Sequence, residues 1–167
     1  TLELIPPCDY YLIACKPQQL DRLAKQLVPQ CPSNAVIISI LAGKRVAALQ
    51  HAFQSQHITR LMPNTPVTVK QAVHALYFDA SISQQQQTYV TNLCHSSGSV
   101  HVFENESQLD TITPYIGSGP AYIFEIAAIL INNKKSLFKI EDYNENIVPK
   151  KPNKKYNFKS DKNMQEL

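Results

Sequence analysis

Three short, predominantly apolar runs constrain this chain more than any other feature: YYLIAC (Tyr10–Cys15), AVIISI (Ala35–Ile40) and HITRLM (His57–Met62). Each has the length of a strand, and a strand that is apolar throughout needs cover on both faces. The first is followed by Lys16-Pro17 and then a helical pattern through Leu20, Leu23, Leu27 and Val28. The second is followed by LAGK and a helix over Val46 to Phe53, and the third by the turn PNTP, Pro63–Pro66. Strands alternating with helices predict an α/β fold, a mostly parallel, doubly wound sheet of partial Rossmann type.

Beyond that point the pattern changes. VHALYFD (Val73–Asp79) alternates less cleanly. Ser83 is the expected N-cap of a polar helix, SQQQQTYVTNLCHS, and SVHVFE (Ser99–Glu104) is the expected last strand. Gln108 to Thr111 then leads into IGSGP, read as a rigid glycine turn ahead of one apolar helix, AYIFEIAAILI. Pro120 suits a first helical turn, where its missing N–H costs nothing, and Gly117 and Gly119 let another group approach the backbone.

At 167 residues and 44% hydrophobic, the chain suits one domain with an appendage. The net charge of +3 hides two populations: seven Lys and Arg face eight Asp and Glu up to Asn133, whereas nine face five from Lys134 onward. The division expected is 1–110 for the partial nucleotide-binding domain, 111–133 for a linker and first helix, and 134–167 for a Lys/Asn-rich disordered tail. No aromatic ladder accompanies the lysines, so no nucleic-acid partner is expected. No apolar run reaches the roughly 18 residues of a membrane span, and TLELIPPCDYY lacks the pattern of a signal peptide, so no membrane partner is expected and the cytoplasm is the expected compartment. Cys8, Cys15, Cys31 and Cys94 have no metal-binding spacing and read as reduced thiols, with no metal site.

In open α/β sheets a ligand lies beyond the carboxyl ends of the strands. Lys16-Pro17, Ala42-Gly43 and PNTP all fall on that rim. Taken in order, CKPQQL, IISILAG, RLMPNTP and IGSGPAYIFE resemble the pyrroline-5-carboxylate reductase family, whose spellings are AVKP, AAG, MPNTP and SGSGPAY. The resemblance covers about Leu4 to Ile131. It implies reduction of the cyclic imine Δ1-pyrroline-5-carboxylate to proline with NADPH or NADH. It also implies that Ala14, Cys15, Lys16, Pro17, Ile40, Leu41, Ala42 and Asn64 lie at the cofactor, and that Thr113 and Ser118 serve as catalytic positions near the nicotinamide and the imine ring. Ile116 stands where the family has a serine, which removes a polar contact. Hydride transfer to an imine asks mainly for alignment and a proton, so His51, His57, His74, His95 and His101 need no catalytic role.

The family opens with a strand and a G-x-G-x-x-G turn that holds the cofactor pyrophosphate. The four glycines here, Gly43, Gly98, Gly117 and Gly119, do not form that pattern. Family members also continue into a helical domain that makes homo-oligomers, whereas the likeness here stops near Asn132, as a truncated copy would read. A non-catalytic remnant that associates with intact partners is therefore the alternative to an active reductase. YYLIAC is expected at a bare sheet edge, where it promotes self-association, and a lysine at Ile13 is expected to oppose it.

Overall fold

The computed structural model describes residues 5–137, with side chains to Ile131. Five strands form one sheet in the order β1 (Tyr10–Ile13), β2 (Val36–Ser39), β3 (Ile58–Met62), β4 (Ala72–Phe78) and β5 (Gly98–Phe103). The neighbours β1, β2 and β3 are parallel, β4 runs antiparallel to β3, and β5 is parallel to β4. The expected mostly parallel sheet is thus the sheet observed.

The direction of β4 decides where the helices lie. Parallel strands are joined by right-handed crossovers, so α1 (Leu20–Leu27) and α2 (Val46–Phe53), which step in one direction across β1 to β3, fall on one face. Their Leu20, Ala24, Leu27, Leu49 and Phe53 pack with Tyr11, Ile13, Ile37 and Ile58. The step from β4 to β5 continues across the sheet from a reversed strand. The same handedness therefore puts α3 (Gln84–His95) on the opposite face, where Val90 and Cys94 meet Val36, Ile38 and Leu76. Ser83 caps α3 as expected: its hydroxyl accepts the Gln86 N–H at 3.3 Å, and Gln86 Oε1 accepts the Ser83 N–H at 2.9 Å.

Cover is complete at β2, whose four residues are all buried, and incomplete at β1. Tyr11 and Ile13 are buried beneath α1 and α2, while on the other face Tyr10 stacks on Tyr89 at 4.5 Å and Leu12 is 61% exposed. β1 is the sheet edge, as expected, but Ile13 is not the residue at its surface. A lysine there would bury a charge; Leu12 is the outward position.

The glycine turn is not a turn. Helix α4 (Glu106–Thr113) passes through one π-helical turn, Pro114–Ser118, directly into α5 (Gly119–Leu137). Pro114 has no N–H to give to the preceding turn and its ring crowds the carbonyl four residues back, so the helix widens there instead of ending. Gly119 has helical dihedrals and donates its N–H to the Pro114 carbonyl. By length and composition the helical run Glu106–Ile131 could cross a membrane. Its beginning is packed on the sheet, with Leu109 1% exposed against Met62 and Ala75, whereas its apolar window is not buried.

The described residues divide into two units between Phe124 and Glu125. The expected tail, 134–167, starts as the last four residues of α5, and its remainder lies outside the described residues.

Candidate active site at the carboxyl rim of the sheet

One cross-strand row runs the width of the sheet: Ile13, Ser39, Arg60, Tyr77 and Phe103 are successive register partners. Because β1, β2 and β3 are parallel, the residues that follow Ile13, Ser39 and Arg60 leave the sheet on the same side. Four residues beyond that row stand Pro17, Gly43 and Asn64 on three neighbouring loops.

After β1, Ala14 and Lys16 are exposed, Cys15 is half-buried against the α1 and α2 core, and Pro17 begins a 3-10 turn leading into α1. Gln19 ties this loop, accepting the Lys16 N–H on Oε1 at 3.2 Å and donating its own N–H to the Lys16 carbonyl at 2.8 Å. After β2, the Ile40 N–H donates to the Ile13 carbonyl at 3.1 Å, so the two loops start side by side. Leu41 is 3% exposed and belongs to the core, so only its backbone is offered to the rim, while Ala42 is exposed. Gly43 has φ +72°, a left-handed conformation that a side chain strains, and the Lys44 N–H closes the turn onto the Leu41 carbonyl.

After β3, Asn64 is half-buried and precedes the 3-10 segment Thr65–Val69. Its Oδ1 accepts the Val73 N–H at 2.9 Å, which anchors the loop to the start of β4.

The helical run that contains the π-turn lies against the end of β3. Met62, Ala75 and Leu109 form one buried cluster against which Ile112 and Ile116 pack, and a Cβ placed on Gly117 would lie 4.0 Å from Met62 Sδ. Gly117 therefore leaves open space at that point without being forced to by a clash. Thr113 is half-buried and spends its hydroxyl on the Leu109 carbonyl at 2.7 Å, as intrahelical threonines do. Ser118 is exposed. Among the described residues no hydrogen bond joins Thr113 or Ser118 to Asn64. The structure brings the expected cofactor positions to neighbouring loops of one rim, and sets Thr113 and Ser118 on the run packed against the adjacent strand end.

Sequence reasoning missed the charged cluster beneath this rim. Arg60 has a side chain only 3% exposed, and its Nη1 bonds Glu106 Oε1 at 2.8 Å and Asp110 Oδ1 at 2.9 Å. Glu106 Oε1 also accepts the Val46 N–H at the start of α2 at 2.7 Å, and Asp110 Oδ2 accepts from Arg45 Nε at 3.1 Å. The signal was present as an arginine inside an apolar strand and two carboxylates four residues apart on one helix face. Tyr77, beside Arg60 in the row, has its phenol pushed up by burial first, and then by Asp79 and Glu106.

No protein-family model matches the chain. It is 32% identical over 123 residues to a pyrroline-5-carboxylate reductase of Pseudomonas aeruginosa, covering 73% of this chain and 45% of that protein. A Plasmodium falciparum pyrroline carboxylate reductase solved with NADP bound matches with a TM-score of 0.72 at 27% identity, covering 77% of this chain and 49% of the other. The chain is a partial member of the pyrroline-5-carboxylate reductase family. The Coxiella burnetii pyrroline-5-carboxylate reductase matches similarly, with a TM-score of 0.68 at 25% identity over 81% of this chain and 50% of its own. The chain thus spans about half the length of the pyrroline-5-carboxylate reductases it matches.

Proposed function

We propose that this chain supplies the nicotinamide and imine side of a pyrroline-5-carboxylate reductase site, reducing Δ1-pyrroline-5-carboxylate to L-proline. The observation that carries this reading is the common rim: loops 14–17 and 40–42 and Asn64 follow one cross-strand row, and the Thr113–Ser118 segment packs on the same strand end through Met62. The order matches the order of the family's motifs.

The residues fit one end of NADPH or NADH and not the other. The exposed residues Ala14, Lys16 and Ala42, and the space left open at Gly117, suit a flat ring. The pyrophosphate would need a glycine-rich helix start. None of the four glycines forms one, Gly117 and Gly119 lie inside helical backbone, and the first N–H of α2 is already taken by the Glu106 carboxylate. When bound, the cofactor would supply the hydride. This chain's part is to keep Asn64, Thr113 and the two strand-end loops still while the imine meets that hydride.

A second reading is favoured by the β1 edge, uncovered among the described residues, with Leu12 61% exposed: a non-catalytic subunit fragment that associates with intact reductase chains. The deciding experiment follows NADPH oxidation by Δ1-pyrroline-5-carboxylate. The chain is assayed alone and after co-expression with a separate segment, taken from the Pseudomonas aeruginosa relative, that carries a glycine turn. The first reading expects negligible turnover alone and turnover from the pair. A folded pair that binds NADPH without turnover would overturn it in favour of the second.

A further inference from the structure

We propose that Arg60 is a positioning residue for the candidate site: it sets the register of α4 on the sheet, and so fixes where Thr113 and the π-turn stand against the end of β3. The role at the site rests on the reading given under Proposed function; the register itself does not.

The geometry is specific. Glu106 and Asp110 are one helical turn apart on α4, and both accept from the same nitrogen, Arg60 Nη1, at 2.8 and 2.9 Å. A cation held between two successive turns resists sliding in either direction, because a shift of one turn, about 5.4 Å, strips at least one carboxylate from it. Rotation is opposed as well. Glu106 is held a second time by the Val46 N–H and Asp110 a second time by Arg45, so both carboxylates are tied to residues outside α4 from two directions.

The guanidinium is almost fully buried, so a slipped helix would leave a desolvated charge unpaired. Apolar contacts alone would define the register weakly, since Leu109, Ile112 and Ile116 all bring similar aliphatic side chains to the cluster around Met62 and Ala75. The lock and the site are consecutive steps of one interface. Arg60 and Met62 point to the same side of β3; Arg60 holds the first turns of α4, Met62 belongs to the cluster that Ile112 and Ile116 pack against and lies beside the space at Gly117, and Asn64 follows two residues later.

The test uses the full chain with labelled Met and Thr methyl groups, comparing Arg60→Lys with the charge-neutral set Arg60→Met/Glu106→Gln/Asp110→Asn. The set avoids stranding two carboxylates if Arg60→Met alone fails to fold. The register readout is the cross-relaxation between the Met62 methyl and the Gly117 amide; the site readout is the Thr113 methyl shift during titration with nicotinamide mononucleotide. We expect both variants to remain folded by circular dichroism and to lose at least threefold of the Met62–Gly117 signal, with the Thr113 response reduced in parallel.

A lowered melting temperature with both signals unchanged would show a merely stabilising ion pair and overturn the proposal. If nicotinamide mononucleotide leaves Thr113 unmoved in the unmodified chain while the variants still lose the Met62–Gly117 signal, the register role stands and the reading of the site falls.

Discussion

Asn64 Oδ1 holds the Val73 N–H at 2.9 Å, so a side chain closes the connection between antiparallel β3 and β4. Asn64→Ala leaves a half-buried N–H without its acceptor and should cost about 1–3 kcal/mol. Asn64→Asp keeps an acceptor and should cost less. Urea denaturation of the three proteins checks this order; equal midpoints for Asn64→Ala and the unmodified chain would refute the anchoring role.

The β1 edge predicts association, and the exposures say where to intervene. Leu12→Lys places a charge on the outward face of the edge, which discourages strand pairing, and should lower the mass seen by light scattering at matched concentration. Ile13→Lys, at 3% exposure, should unfold the α1 and α2 side of the sheet. If Leu12→Lys associates as strongly as the unmodified chain, the edge is not the contact.

His74 gives stability a pH dependence of known sign. Burial first, and His95 second, hold its imidazole below the ordinary value of about 6.5, and its Nε2 lies 2.9 Å from Ser97 Oγ. The unfolded chain therefore binds the proton more readily than the fold does. This contribution is complete above about pH 6.5 and is lost as pH falls through the folded-state value below it. Denaturant midpoints at pH 7.5 and pH 5.0 should diverge less in His74→Asn than in the unmodified chain; the same divergence in both would assign the effect to other groups.

Gly98 opens β5 with no room for a side chain. A Cβ built there falls on the Ala72 carbonyl and on neighbouring backbone atoms that cannot rotate away. Gly98→Ala should separate the first β4–β5 partners and cost about 3 kcal/mol, at the upper end for overpacking. Amide exchange along Ala72–Ala75 reads the separation directly, and unchanged protection there would contradict it.

The sequence made the strands and the α3 cap legible because those features are local. YYLIAC and AVIISI have no competing helical period, and Ser83 and Gln86 are three residues apart. What it concealed was facing and partnership. In a continuous apolar run nothing distinguishes Leu12 from Ile13, since facing there depends on which neighbour is present. Arg60 and Glu106 are 46 residues apart, with β4, α3 and β5 between them, so no local spacing announces their pairing. Pro114 and two glycines read as helix breakers one by one, yet Ile112 and Ile116, on either side of Pro114, both pack against the cluster of Met62, Ala75 and Leu109, and the helix runs on. For the site, the loop positions were readable as strand ends, whereas Thr113 and Ser118 came only from the family's spelling.

The π-turn between Pro114 and Ser118 acts on phase. An α-helix advances about 100° per residue, so a wide turn that takes up one additional residue rotates everything after it by that angle relative to an uninterrupted helix. Which sides of the helix carry Tyr122 and Ile123, both largely exposed, is therefore fixed by a residue count within Pro114–Ser118 and not by their own chemistry. Substitutions in this turn that spare Pro114 would leave the bearing of Tyr122 and Ile123 intact, while deletion of one residue would turn both to another side of the helix. In this segment length is guarded together with the one proline that widens the turn.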